Sequence, residues 1–307
     1  VWVIVSELAF QLFALVALGF VLRRFGVIDD NFQKRMGNLL ILVVLPAAIL
    51  SSANTPFSEE MGMSLIWAFL FILFFYVAGI ILLRIATRAV RYPEQNRHLL
   101  INLLMFANTG FLGFPVVQYI YGGQGVLYAV IFNLLFNFFL FTYGVMMLGG
   151  REITWKKFLL SPLTISMVVT IILFVTRLEM PNFIVGVLDK LGGLSAPLSM
   201  FIVGGSLSVI PLKKLLTNRH AYWVTGVGQL LLPALMMLLL WATGQRGVMP
   251  STIVLLAGLP PATLNIVTAE QHGADVAFAT EAVVLGSLLM VVTIPLTALI
   301  SSVVFGP

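Results

Sequence analysis

Ten stretches of mostly apolar residues, each long enough to cross a bilayer, leave this 307-residue chain few folds to choose from. They lie near 3–22, 36–54, 62–84, 97–121, 125–148, 158–176, 185–209, 221–243, 249–271 and 277–304. A helix of about 20 residues spans the hydrocarbon layer. Inside lipid every backbone N–H and C=O must find a partner within the protein, and helices supply those partners locally. The expectation is an all-α integral membrane protein with ten transmembrane helices. Composition supports that class: 9% of residues are charged, against about 25% in soluble domains. The chain has no cysteine, which excludes disulfide and thiol chemistry. His98, His220 and His272 fall near links, and no two stand at metal-ligand spacing. No metal, cofactor or catalytic residue is therefore expected, and the chain reads as not an enzyme. The first apolar run ends at Arg23-Arg24 without a small-residue cleavage site, so a retained helix is expected rather than a signal peptide.

The positive charges set an orientation. Fourteen of the 17 Lys and Arg lie in or beside links one, three, five and seven. They are Arg23, Arg24, Lys34, Arg35; Arg84, Arg88, Arg91, Arg97; Arg151, Lys156, Lys157; and Lys213, Lys214, Arg219. Only Arg177, Lys190 and Arg246 belong to even links. Cytoplasmic loops carry the excess of Lys and Arg. The odd links are expected in the cytoplasm, with both termini on the outer side of the cell membrane. The same rule accounts for the net charge of +5 and removes nucleic acid as a partner.

Two of the apolar runs contain sequences that stop helices. One is Asn108-Thr-Gly-Phe-Leu-Gly-Phe-Pro115 and the other Gly258-Leu-Pro-Pro-Ala-Thr-Leu-Asn265. Gly110, Gly113 and Gly258 have low helix propensity, and Pro115, Pro260 and Pro261 cannot donate a backbone hydrogen bond. Broken backbone at membrane depth survives only where protein or a water-filled cavity covers it. Ten helices divide into five plus five, residues 1–150 and 151–307, and an odd number inverts the second half. Pro46 and Pro197 fall in the second helix of their halves, and the two breaks in the fourth. Two inverted five-helix repeats, with helices four and nine broken and crossing near the midplane, describe a class of secondary transporter.

The stretches "NTGFLGFP", "YGGQG", "LAGLPPATLNIVTAEQHGAD" and "LLMVVTIPL" resemble the bacterial branch of the auxin efflux carrier family. That resemblance covers all ten expected helices. It implies a fold similar to sodium/proton antiporters and bile acid transporters. There, helices one, two, six and seven form a scaffold and a homodimer surface, and helices three to five and eight to ten form the moving transport domain. It also implies a small organic anion as substrate, either an auxin-like monocarboxylate or a dicarboxylate such as malonate or malate. Unlike the plant carriers, this chain has no long loop between its halves.

The residues at the breaks suit such a ligand. Helix N-termini favour negative charge through their dipole and free N–H groups. Pro115 and Pro261 fit the first helical position, where a missing N–H is harmless. Thr109, Thr263, Asn108 and Asn265 offer side-chain hydrogen bonds. Asn133 and Asn137 share a face of the fifth helix and either contact the crossing or join helices. Ser51 and Ser199 either line the scaffold side or pack helices closely. No Lys or Arg is central to any span, and Glu7, Glu270, Asp275 and Glu281 all stand near a span end. A buried carboxylate pair for ion coupling is therefore not expected. "YGGQG" lacks the strand and lysine of a phosphate loop, and "GGSLS" has no His or Asp at depth for a triad. The reading is a secondary transporter of small organic anions working by elevator-type alternating access. The alternative is a ligand-binding sensor or channel on the same scaffold.

Overall fold

A computed structural model describes residues 2–148, 159–208 and 219–306, and all regular structure among them is helical. The basic clusters Arg151, Lys156, Lys157 and Lys213, Lys214 lie outside these residues. Eleven helical segments follow in order. They are α1 (Trp2–Arg24), α2 (Asp30–Ser52), α3 (Glu59–Ala89), α4 (Glu94–Met105), α5 (Thr109–Met147), α6 (Pro162–Thr176), α7 (Asn182–Ser208), α8 (Arg219–Ala242), α9 (Val248–Ala257), α10 (Leu264–Gln271) and α11 (Val276–Phe305). Six of them, α2, α3, α5, α7, α8 and α11, are long and apolar enough to cross a membrane, and α6 and α9 are shorter apolar helices.

Caps account for several boundaries. Asp29, Ser58, Ser161 and Asp275 each accept a backbone N–H from the first turn of the helix they precede, which satisfies one of the donors a helix start leaves over. Within α5, Gly122 (φ 60°, ψ −155°) turns the chain back, so 109–121 and 123–147 are two limbs. Four wide turns interrupt the helices, and three of them stand just ahead of a proline. Leu40–Val44 precedes Pro46, Thr109–Gly113 precedes Pro115, and Val227–Leu231 precedes Pro233. A proline ring collides with the carbonyl four residues back and removes a donor. One wider turn relieves that clash without ending the helix.

Packing relies on small residues. On α7, a Cβ at Gly204 would fall 2.0 Å from the Val16 carbonyl oxygen of α1. No other residue fits so close a crossing. Gly205 lies under Gln33, while Ser195 and Ser199 are almost fully buried. The small-residue stripe of α7 is thus spent inside the chain. Outward faces are instead apolar: on α3, Phe74, Ile81, Leu82 and Ile85 are all more than half exposed. Such a surface is at home in hydrocarbon, and the chain is a multi-pass membrane protein.

Candidate functional site

The two helix breaks meet. Between α4 and α5 the chain leaves helical geometry at Phe106, Ala107 and Asn108. Between α9 and α10 it does so from Gly258 to Thr263. Ala107 and Pro261 form an antiparallel bridge. Asn108 N–H donates to the Pro260 carbonyl at 2.7 Å, and Ala262 N–H donates to the Phe106 carbonyl at 2.9 Å. Each break therefore supplies partners that the other lacks, as buried backbone requires.

A cavity of about 360 Å³ opens beside this junction. The starts of α5 (Asn108, Thr109, Gly110, Phe111) and α10 (Ala262, Thr263, Leu264) both line it. Asn133 and Asn137 line it from the second limb of α5, and Phe136, Val267, Ile41 and Leu163 form apolar walls. Among the described residues, no titratable side chain lines the cavity. Any charge held there would be met by dipoles and neutral donors.

The polar side chains are held in place. Asn108 Oδ1 accepts from Phe111 N–H at 3.2 Å and caps α5. The Thr109 hydroxyl donates to Asn133 Oδ1 at 3.0 Å. Asn133 Nδ2 donates to the carbonyls of Ala129 (3.1 Å) and Thr109 (3.4 Å), and Asn137 Nδ2 donates to the Asn133 carbonyl at 2.8 Å. Thr263 has no side-chain capping bond and is exposed to the cavity. A Cβ at Gly110 would meet nothing nearer than 3.9 Å, which leaves open space over that backbone.

Other expected site residues have different places. Asn265 is fully buried behind the junction. Its Nδ2 donates to the Phe106 carbonyl at 2.9 Å, and its Oδ1 is buried without a partner. Pro115 is not at the first position of its half-helix: Asn108 caps that helix, and Pro115 follows the wide turn it necessitates. Pro261 is not helical either. It belongs to the bridge, Pro260 offers its carbonyl to Asn108, and α10 begins three residues later. A Cβ at Gly113 would strike Leu256 at 2.7 Å, and one at Gly258 would crowd Pro233 at 3.2 Å. Both glycines serve helix packing rather than approach to a ligand. Ser51 hydrogen-bonds Asp189 on α7, and Ser199 bonds the Ala196 carbonyl within its own helix. Neither serine lines the cavity.

Sequence reasoning missed Gln229. It is fully buried, donates to the Gly286 carbonyl at 2.9 Å and accepts from the Thr293 hydroxyl at 2.7 Å. It thereby ties α8 to α11 behind Pro260 and Pro261. A lone glutamine in an apolar run was the available signal. The apolar walls carried none, since nothing distinguishes Phe136 or Leu163 from lipid-facing neighbours.

A sequence model of the family described as "Membrane transport protein" matches residues 4–154 and 150–298. The chain belongs to that family, which is auxin efflux carrier-like. An uncharacterized transporter of Methanothermobacter thermautotrophicus is 24% identical over 300 residues, covering 96% of this chain and 98% of the relative. An uncharacterized transporter of Methanocaldococcus jannaschii is 28% identical over 209 residues, 65% of this chain and 68% of the relative. Auxin efflux carrier component 1 of Arabidopsis thaliana is 26% identical over 149 residues, 47% of this chain and 24% of the plant protein. These relatives are named as membrane transporters, not enzymes, and this chain is a membrane transporter.

Proposed function

We propose that the protein is a secondary transporter of small organic anions, with the cavity at the paired breaks as its substrate site. The observation that carries this reading is the junction itself. It places the starts of two helices and the side chains of Asn108, Thr109, Asn133, Asn137 and Thr263 around one cavity at an antiparallel bridge. Free N–H groups at helix starts stabilise a carboxylate without a basic side chain. Gly110 leaves room for it to approach.

The lining favours one of the two anion classes. Ile41, Phe111, Phe136, Leu163, Leu264 and Val267 form the rest of the wall. A second carboxylate would be desolvated against them with no cation among the described lining residues, at a cost of several kcal/mol. An apolar body carrying a single carboxylate, in the manner of an auxin-like monocarboxylate, suits both ends of the cavity better than malonate or malate.

The arrangement in the membrane belongs to the same proposal. Ten spans form two inverted five-helix repeats, residues 1–150 and 151–307. In this reading α4 with the first limb of α5 is the fourth span, and α9 with α10 the ninth. The scaffold consists of α1, α2, α6 and α7, and α3 to α5 and α8 to α11 move against it as an elevator. Ile41 and Leu163 are then the scaffold's contribution to the site. With the basic links in the cytoplasm and the termini outside, the cavity opens inward, because α10 leads from the break to the ninth link. The protein would act in the cell membrane, as a homodimer through its scaffold.

Uptake and counterflow in sealed vesicles test the function. Purified protein should exchange a labelled aryl or branched-chain monocarboxylate with saturable kinetics, and should prefer it over malonate and malate. Binding without flux would make the protein a sensor. Conductance far above carrier turnover would make it a channel. A preference for dicarboxylates would overturn the assigned class.

A further inference from the structure

At the end of the helices remote from Gly122, a cluster of cationic and hydrogen-bonding side chains outnumbers the one acid, Glu94, that acts on it among the described residues. Arg84 is on α3, Arg97 and His98 on α4, and Tyr143 near the end of α5. Arg84 lies over the Tyr143 ring at 5.0 Å, and its Nη2 reaches the Met147 sulfur at 2.7 Å. Arg97 Nη2 donates to the Tyr92 carbonyl at 3.0 Å. Arg84, Arg88 and Arg97 are all close enough to His98 to act on it electrostatically, and Glu94 is the one acid that does. The described residues contain a single salt bridge, Arg23 to Asp30, at a different helix end.

Two groups in this cluster are buried with hydrogen-bonding capacity unused, Arg97 Nε and His98 Nδ1, and the Tyr143 hydroxyl stands beside Arg84. Buried hydrogen-bonding groups without partners are destabilising, and more so when charged. Three guanidinium groups against one carboxylate leave a surplus of two positive charges. A carboxylate would neutralise half of that surplus. A phosphate group carries up to two charges and oxygens for several donors, and guanidinium pairs bind it in a forked geometry. The neighbouring turn of α3 turns Ile81, Leu82 and Ile85 outward, each more than half exposed. An acyl chain can lie there while its headgroup reaches the arginines.

We propose that Arg84, Arg97, His98 and Tyr143 form a phosphate-binding site, distinct from the cavity at the breaks. The shared chemistry is a phosphate group, carried by an anionic lipid or by a soluble phosphate. The lipid headgroup is the source that the exposed apolar turn favours.

Native mass spectrometry of the full chain decides between them. The wild type, in detergent with phosphatidic acid or phosphatidylcholine, should retain phosphatidic acid selectively. The double variant Arg84→Gln/Arg97→Gln should lose at least tenfold in retention. Arg246→Gln, outside the cluster, should retain it like the wild type. Tyr143→Phe removes one hydroxyl and should weaken retention severalfold; it covers the case in which the double variant does not fold. Protection from thermal unfolding by millimolar inorganic phosphate, lost in the same variants, with no selective lipid retention, would support the site with a soluble source. Equal retention by wild type and variants, or neither phosphatidic acid nor inorganic phosphate binding, would overturn the proposal.

Discussion

Asn108 is 7% exposed at the cavity and Asn265 not at all, so the two amides should respond differently to removal. Asn265→Ala deletes the donor to the Phe106 carbonyl. That leaves a buried acceptor with one partner fewer, a loss of about 1–3 kcal/mol in stability. The expected outcome is a lower melting temperature with near-wild-type affinity in the folded fraction. Asn108, Thr109 and Asn137 line the cavity proposed as the substrate site. Loss of a side-chain hydrogen bond to a charged group costs about 1.5–3 kcal/mol, roughly one to two orders of magnitude in affinity. Asn137→Ala is the cleaner probe, because its amide caps no helix. Weakened binding with an unchanged melting temperature is expected. Unchanged affinity in Asn137→Ala and Thr263→Val together would remove the side chains from the site and leave only the helix starts.

At the scale of the element, proline and glycine act through different neighbours. Pro115 follows the wide turn Thr109–Gly113, seven residues beyond Asn108. Pro115→Ala therefore cannot close the break, which is held by the bridge between Ala107 and Pro261. The variant should fold, bind and transport close to wild type, as binding and flux assays would show. Gly113→Ala is the contrasting case. Its Cβ would strike Leu256 at 2.7 Å and Leu259 at 3.2 Å, where the first limb of α5 packs on α9. Overpacking of this kind costs about 1–3 kcal/mol. A reduced melting temperature is expected, and relief by Leu256→Ala in the double variant would confirm the contact as the cause.

At the scale of the whole molecule, orientation can be read with single cysteines, since none is native. Arg246 and Val90 are both exposed, at opposite ends of the proposed arrangement. Arg246→Cys should react with an impermeant thiol reagent added to intact cells, and Val90→Cys only after permeabilisation. The reverse pattern would invert the assigned topology. The class of the protein, the places where its helices break and the asymmetry of its charges were legible in sequence, because each rests on local chemistry. Apolar length decides what lipid accepts, and a missing N–H or Cβ decides where a helix falters. Half of the proposed site's lining was legible for the same reason: Asn108, Thr109 and Gly110 adjoin a break, and Asn133 and Asn137 share a helix face. The roles of the remaining residues depended on what approaches them across the chain. Asn265 and Thr263 are two residues apart, yet one holds the Phe106 carbonyl and the other faces the cavity. Gly113 and Gly110 part in the same way, one against α9 and one against open space. Local propensity cannot distinguish such pairs. The hydrogen bonds between residues 106–108 and 260–262 join segments about 150 residues apart, and only their meeting decided which side chains face the cavity and which hold the two breaks together.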